Sequence, residues 1–359
     1  MLAALNLARR GLGRVWPNPA VGCVVVKQGA VIGRGWTQPG GRPHAETEAL
    51  ARAGAEARGA TAYVSLEPCA HHGKTPPCAD ALVTAGVARV VAAMEDPDRR
   101  VSGRGFERLR RGGVDVSVGV CAEEAADMNA GFFSRILAGR PLITLKTATT
   151  LDGMIATHDG ESQWITGEHA RRTAHMLRAT HDAVMIGSGT ALADDPRLDC
   201  RLPGMHARSP VRIVIDGRLR LPLTSALVRD ARELPTWIVT IEGNVSERID
   251  AYRLCGVEII ETPAGPSGTL DLAAALQALA KRGLTRILVE GGATLTAALM
   301  QARLVDRVVW FRASSIIGGD GIPVSAPFGV AKLDQAPRFV RRRLVDLAGD
   351  ALETYVRAR

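Results

Sequence analysis

The chain has 359 residues, 46% hydrophobic and 23% charged, which are globular proportions in a length that accommodates two domains of ordinary size. No apolar run approaches the roughly 18–20 residues of a membrane-spanning helix. A net charge of +8 invites a nucleic-acid partner, but only 4% of residues are aromatic, so base-stacking platforms are scarce and small anionic ligands explain the charge equally well.

In chain order, residues 1–14 read as an amphipathic helix running into Pro17-Asn18-Pro19. They lack the apolar core and cleavage site of a signal peptide, so the expected location is cytoplasmic. Six scattered cysteines (23, 69, 78, 121, 200 and 255) form no disulfide framework and suit a reducing compartment. Residues 20–26 and 30–35 are β-rich runs joined by Lys27-Gln28-Gly29, a hairpin pattern. A helix is predicted over 46–57, a strand over 60–66, and a helix opening at Cys78 after Pro76-Pro77. A strand over 89–94, a helix over 103–111, a strand over 114–118 and one helix over 122–137 complete the series. Such alternation predicts a mainly parallel sheet covered by helices. Gly139-Arg140-Pro141 punctuates its end, which divides the chain into domains 1–140 and 141–359.

Within the first domain, His44-Ala45-Glu46, Pro68-Cys69 and Cys78 stand out. A hydrolytic zinc site needs three protein ligands and an open fourth position. His44, Cys69 and Cys78 supply the three, and Glu46 remains to move protons, as in zinc nucleobase deaminases. Buried structural cysteines are the bland alternative. Against it, Pro68 stands beside an expected helix start and Cys78 follows another, and helix N-termini favour thiolates. The eight residues between the cysteines depart from the usual two of those deaminases.

The second domain opens with a strand over 142–147 and a turn at Leu151-Asp152-Gly153. A helix over 168–178 and strands over 182–186, 211–216, 236–241, 257–260, 286–290 and 307–311 follow. Helices over 272–281 and 294–301 and β-rich segments over 339–345 and 351–356 finish it. The strand ending in Glu290 runs into Gly291-Gly292-Ala293-Thr294 and a helix, and Gly187-Ser188-Gly189-Thr190 is a similar turn. Backbone N–H groups at such turns receive anions such as a pyrophosphate, although ordinary strand-to-helix turns share the spacing. Polar loops at 161–166 and 194–198 are further site candidates. The dinucleotide fingerprint G-x-G-x-x-G is absent from this half.

With these residues in view, nearly the whole chain resembles the bifunctional deaminase–reductases of riboflavin biosynthesis. The first half carries Pro17-Asn18-Pro19-Ala20-Val21-Gly22, Pro43-His44-Ala45-Glu46 and the segment from Glu67 to Cys78 with the family's own eight-residue spacing. The second half carries the family's segments 145–153 (LKTATTLDG), 160–166 (GESQWIT), 192–196 (LADDP) and 289–295 (VEGGATL). The resemblance implies an α/β protein: a cytidine-deaminase-like three-layer domain followed by a dihydrofolate-reductase-like domain. The first would hydrolyse the amino group at C2 of a 2,5-diamino-6-ribosylamino-pyrimidinone 5′-phosphate with one zinc ion. The second would reduce the product's ribosyl group to ribityl with NADPH.

Carried over by position, zinc falls to His44, Cys69 and Cys78, proton transfer to Glu46, and substrate contacts to Asn18, His71 and Lys74. In the second half the resemblance implies NADP contacts at Ala148, Trp164, Thr190, Asp194, Gly217, Gly292, Ala293, Thr294, Leu295, Thr296, Ala297 and Ala298. Substrate contacts fall on Ser162, Arg178, Leu198, Arg201 and Glu290, with Lys146 facing the reacting ribose. A homodimer or higher homo-oligomer, with no nucleic-acid or membrane partner, is the expected assembly. Three departures stand out: Thr37 replaces a common histidine, Gly217 replaces a common serine, and the family pattern has a few residues ahead of the first helix. Two rivals remain in view. A nucleic-acid-editing deaminase would have no reason to bind NADPH, and a non-catalytic zinc-stabilised binding protein would not require Glu46.

Overall fold

The computed structural model describes residues 1–71, 76–99, 101–265 and 268–358. The chain divides into two compact units, Met1–Arg140 and Pro141–Arg359. No helix among the described residues is long and apolar enough to cross a membrane.

In the first unit the order is α1 (Leu2–Ala8), β1 (Gly22–Lys27), β2 (Ala30–Trp36), α2 (Ala45–Ala53), β3 (Thr61–Val64) and α3 (Cys78–Thr84). Then come β4 (Arg89–Ala92), α4 (Arg104–Arg111), β5 (Asp115–Val118), α5 (Ala122–Met128) and α6 (Ala130–Ala138). The sheet order is β2-β1-β3-β4-β5. It is mixed rather than mainly parallel: β1 runs antiparallel to both β2 and β3, and only β3, β4 and β5 pair in parallel. The cause is local. Gln28 and Gly29 both take positive φ (50° and 80°), so a two-residue turn folds β2 straight back along β1.

Helix α2 carries His44 and Glu46 at its start, so its seat on the sheet decides where those two side chains stand. Its buried face is Ala45, Ala49 and Ala53, spaced four apart. That face rests on the glycines of β2. A Cβ at Gly35 would lie 2.1 Å from the Ala45 carbonyl oxygen, and one at Gly33 would lie 2.2 Å from that of Ala49. Alanine against glycine lets helix and sheet approach to backbone contact. The helix ends earlier than expected, at Gly54 with φ 54°, and continues as a 3-10 turn over Gly54–Ala57.

The single helix expected over 122–137 is two helices. Buried Asn129 breaks it: its side chain accepts the Ala20 N–H at 2.9 Å and donates to the Ala20 carbonyl at 3.0 Å. An amide committed to a neighbouring segment's backbone outweighs the helical continuity that periodicity alone suggests. Gly103 likewise lies outside its helix as a left-handed cap, φ 75°.

The second unit contains β6 (Leu142–Thr149), β7 (Met154–Ala156), α7 (Glu168–Thr180), β8 (Ala183–Gly187), α8 (Ser188–Asp194), β9 (Val211–Ile215), α9 (Ala226–Arg229) and β10 (Thr236–Ile241). It continues with α10 (Ser246–Leu254), β11 (Glu258–Thr262), α11 (Leu272–Lys281), β12 (Arg286–Glu290), α12 (Ala293–Gln301) and β13 (Arg307–Arg312). The last strands are β14 (Ile322–Pro323), β15 (Phe339–Leu347) and β16 (Asp350–Arg357). A nine-stranded sheet runs β11-β10-β9-β8-β12-β6-β13-β16-β15. It is parallel from β11 to β13, and β16 and β15 add an antiparallel edge. Helix α10 escapes sequence reading because it buries only Ile249 and Tyr252, too sparse a stripe to register as periodic. Asp194, expected in a loop, is the last residue of α8.

Gly35→Ala should push α2 off the sheet. Overpacking of this kind costs about 1–3 kcal/mol. In chemical denaturation, the transition of the first unit should move to lower denaturant and that of the second should stay. An unchanged first transition would show that the close approach is not required.

Candidate functional site

His44 caps α2 with extended backbone (φ −74°, ψ 162°), which directs its ring away from the helix while Glu46 sits in the first turn. Cys78 is the first residue of α3, after Pro77. Only Cys78 opens a helix; the residues directly after Pro68-Cys69 are not helical, contrary to expectation. Cys69 instead borrows the start of α3, accepting the Cys78 backbone N–H on its sulfur at 3.3 Å. The ligand atoms of His44, Cys69 and Cys78 all lie within 4.8 Å of one another. The His44 Nδ1 stands 3.3 Å from the Cys78 Sγ and 3.6 Å from the Cys69 Sγ. A tetrahedral zinc with ordinary Zn–N and Zn–S bonds requires edges of roughly 3.6–3.8 Å. Donor type, number and spacing therefore fit zinc with one position left open.

Electrostatics support that fit. Hydrogen bonding from the Cys78 thiol, then from His44 and the Cys78 N–H, pulls the Cys69 thiol down to about 4, against the effect of burial. Burial, and next the charge of Cys69, push Glu46 up to about 7. This carboxyl is 3% exposed. It is held near the pKa at which a group both takes and returns protons at neutral pH.

A cavity of about 260 Å³ is lined by His44, Glu46 and Cys69, and also by Asn18, Thr37, Arg42, His71 and Phe132 among others. Asn18 is fixed there by donating its amide to the Gly41 carbonyl at 2.8 Å. His71 brings a ring nitrogen, Nδ1, that is shielded from solvent and has no hydrogen-bond partner among the described residues. Thr37 accepts the Val21 N–H at 3.0 Å, so its hydroxyl serves the local backbone. Lys74 lies outside the described residues. Glu67 has a part that its place in a motif does not disclose: its carboxylate accepts backbone N–H groups of Asp96, Gly103, Gly105 and Phe106 at 2.8–3.4 Å. It thereby anchors the start of α4 beside Cys69.

In the second unit, β6 and β12 are neighbours with Lys146 opposite Glu290 in register. Glu290 receives Arg178 through two bonds, Nε to Oε1 at 2.5 Å and Nη2 to Oε2 at 2.9 Å, and Lys146 Nζ approaches to 4.0 Å. Arg178 also donates to the Asp199 carbonyl at 2.9 Å. Burial by itself would raise the Glu290 pKa, but Arg178 and then Lys146 hold it down at about 2. Burial lowers the Lys146 pKa.

Beside this cluster the two glycine turns meet, because β8 and β12 are adjacent. A Cβ at Gly292 would lie 2.9 Å from Thr190 Oγ1, and one at Gly187 would lie 3.7 Å from the Leu295 Cβ. Gly291 and Gly292 have φ of 91° and 85°. Two helix starts, α8 and α12, thus open at one end of the parallel strands, which is where open α/β sheets bind nucleotides. The chemistry fits a phosphorylated dinucleotide. In the first turns of α12 Thr294 is exposed, Ala293 and Ala298 are half-buried, and Leu295, Thr296 and Ala297 are buried.

The remaining positions are more dispersed. Ala148 is half-buried on β6. Trp164 is 65% exposed, with the Arg171 guanidinium 4.7 Å from its ring. Ser162 and Asp194 are exposed. Leu198 is buried in the core with positive φ, 55°, and exposed Arg201 reaches the Asp199 carboxylate at 3.7 Å. Gly217 follows β9, and a Cβ there would come within 3.1 Å of the Ile241 side chain. A serine at this position would need Ile241 to shift.

Residues 1–94 match the family model described as the cytidine and deoxycytidylate deaminase zinc-binding region, and residues 141–344 match the RibD C-terminal domain. The chain is 44% identical to the riboflavin biosynthesis protein RibD of Escherichia coli, over 94% of this chain and 93% of that protein. It is 41% identical to RibD of Aquifex aeolicus, over 98% and 96%. Acinetobacter baumannii RibD superposes with a TM-score of 0.88 at 38% identity, covering 100% of this chain and 98% of that one. The diaminohydroxyphosphoribosylaminopyrimidine deaminase/5-amino-6-(5-phosphoribosylamino)uracil reductase of Thermotoga maritima does so with 0.86 at 34% identity, covering 100% and 97%.

The Glu290–Arg178 pair sets a pH dependence for the second unit. An acid whose folded pKa is depressed stabilises the fold above its unfolded pKa and stops doing so as pH falls towards the folded value, here about 2. Between pH 5 and 2 the native unit should lose about 3 kcal/mol more stability than Glu290→Gln. Parallel denaturation profiles for the two proteins would refute this.

Proposed function

This chain belongs to the RibD family of bifunctional riboflavin-pathway enzymes, a zinc-dependent deaminase joined to an NADPH-dependent reductase, and we propose how its own residues divide that work. Residues 1–140 carry the deaminase and residues 141–359 the reductase. The substrate is the diaminopyrimidinone ribosylamine 5′-phosphate, deaminated first and then reduced to the ribitylaminouracil phosphate. The cytoplasm is the proposed compartment, because thiolate ligands need reducing conditions. The observation that carries this reading is the His44, Cys69 and Cys78 cluster, with His44, Cys69 and the buried Glu46 carboxyl facing one cavity.

When bound, zinc supplies a Lewis-acidic centre at which water becomes nucleophilic near neutral pH. His44, Cys69 and Cys78 hold it. Glu46 takes a proton from the attacking water and gives it to the ring nitrogen. It then takes the proton of the hydroxyl now on the ring carbon and gives it to the amino group, which leaves as ammonia as the carbonyl forms. Asn18 and His71 orient the pyrimidine in the cavity, and Lys74 meets its phosphate. In the reductase, NADPH supplies a hydride. Thr190, Asp194, Trp164, Ala148, Gly292 and the first part of α12 to Ala298 bind it, while Ser162, Arg178, Arg201, Glu290 and the backbone at Leu198 contact substrate. Lys146, kept in place by Glu290, holds a proton at the opening ribose.

Incubation with the diaminopyrimidine phosphate, with and without NADPH, should give the reduced and the merely deaminated product respectively by mass. Glu46→Gln should retain zinc and fold but lose deamination by roughly two to four orders of magnitude. Reduction of the already deaminated intermediate should persist. Loss of both activities in a folded variant would refute the division between the units.

Cofactor choice tests a departure from the family. Gly217 has no hydroxyl for the 2′-phosphate of NADPH. Arg218 is exposed just beyond it, and Arg220 Nη2 donates to Ser188 Oγ at 2.7 Å, at the first residue of α8. We propose that these arginines read the phosphate. Removing a charged hydrogen bond costs about 1.5–3 kcal/mol, or roughly tenfold to a hundredfold in affinity. Direct titration should show that loss for NADPH, with NADH unchanged, in Arg218→Ala or Arg220→Ala. Equal losses for both cofactors, or none in either variant, would show that neither arginine reads it.

A further inference from the structure

Helix α4 lies against both thiol-bearing segments without offering a ligand. Its start is pinned by Glu67, which accepts the N–H groups of Gly103 at 3.0 Å and Gly105 at 2.8 Å. Gly105 presses on the residue before Cys69: a Cβ there would lie 2.0 Å from the Pro68 carbonyl oxygen. Arg108, three residues on, turns back over the site. Its Nη1 donates to the Ala70 carbonyl at 3.3 Å, directly after Cys69, and its guanidinium pairs with Asp80, two residues after Cys78.

We propose that Arg108 is a positioning residue for the metal thiolates, tying the Cys69 segment to helix α3 and thereby setting the separation of Cys69 and Cys78. This rests on the reading that His44, Cys69 and Cys78 hold zinc. The need arises from spacing. Two cysteines separated by two residues are held by a single tight turn, whereas eight residues leave a loop with more freedom to lose on ordering its ends. Among the described residues the direct links between the ends are the Cys78 N–H to the Cys69 sulfur at 3.3 Å, the Cys78 thiol to the same sulfur, and the Ala79 N–H to the Cys69 carbonyl at 3.2 Å. A planar guanidinium can serve a carbonyl and a carboxylate at once, which a lysine ammonium does less well. The Arg108 and Asp80 side chains are 41% and 31% exposed, so their ion pair contributes little to overall stability. That separates positioning from structural support.

The test uses the full chain loaded with zinc, and with cobalt as a spectroscopic substitute. Arg108→Met should release zinc to a chelator about tenfold faster, the lower end of the effect expected for groups supporting metal ligands. It should also alter the thiolate–cobalt absorption bands, while the thermal midpoint of the metal-free protein and the reductase activity stay near native. Arg108→Lys should restore retention in part, and Asp80→Asn should reproduce the loss. Asp80→Asn decides the matter alone if Arg108→Met does not fold. Arg111, which pairs with Glu107 on the same helix, provides the control; Arg111→Met should change nothing. Native release rates and cobalt bands in Arg108→Met, or an equal loss in Arg111→Met, would overturn the proposal. Unaltered protein that binds no metal would overturn the zinc reading itself and this inference with it.

Discussion

A carboxylate removed from water must be compensated, and this chain meets the requirement differently at each of its buried acids. Glu290 is met by the Arg178 fork and by Lys146, and remains ionised to about pH 2. Glu67 is met by four backbone N–H groups and organises the start of α4. Asp182 is met by the Thr285 hydroxyl and by the Thr285 and Arg286 N–H groups, joining β8 to β12. Glu46 has no guanidinium partner among the described residues, and burial, with the charge of Cys69 second, raises its pKa to about 7. Identical side-chain chemistry thus yields a carboxyl held far below its ordinary pKa in one unit and one raised well above it in the other, and environment makes the difference.

The two sites are built by different means. In the first unit a helix start is brought to the sheet by the absence of side chains, with alanines of α2 seated on glycines of β2. Here small residues do functional service, since a single methyl would displace His44 and Glu46 together. In the second unit the sheet order does the assembling. The chain leaves β6, lays down β8 to β11 on one side, and returns to insert β12 between β8 and β6. This reversal puts the turn after β8 beside the turn after β12, and Lys146 beside Glu290. Residues more than a hundred positions apart in the chain become one polar cluster.

Both sites also depend on groups that touch no ligand. Asn129 interrupts a helix in order to bond Ala20, within the Pro-Asn-Pro segment's continuation into β1. Asp152 accepts the Gly318 N–H at 2.8 Å and so ties the turn after β6 to a loop beyond β13. Fully buried Arg212 donates to the carbonyls of Arg197, Leu227 and Leu234, which secures the segment carrying Leu198. Asn129 and Arg212 are buried while Asp152 is exposed, and a buried polar group that is bonded confers a unique arrangement rather than a large net stability.

Local patterning made much of this legible in the chain itself. The hairpin at Gln28-Gly29, the strands over Thr236–Ile241 and Arg286–Glu290 and the helix over Leu272–Lys281 come from turn chemistry and periodicity, which act over a few residues. The donor set His44, Cys69 and Cys78 was readable for the same reason: metal chemistry restricts which side chains suffice. Long-range contact determined the rest. The antiparallel pairing of β1 with β3, the break at Asn129, the single helix start shared by Cys69 and Cys78, and the anchoring role of Glu67 depend on partners distant in sequence. So does the contrast between Glu46 and Glu290, because a pKa reflects burial and neighbouring charge, and neither exists until the chain has folded.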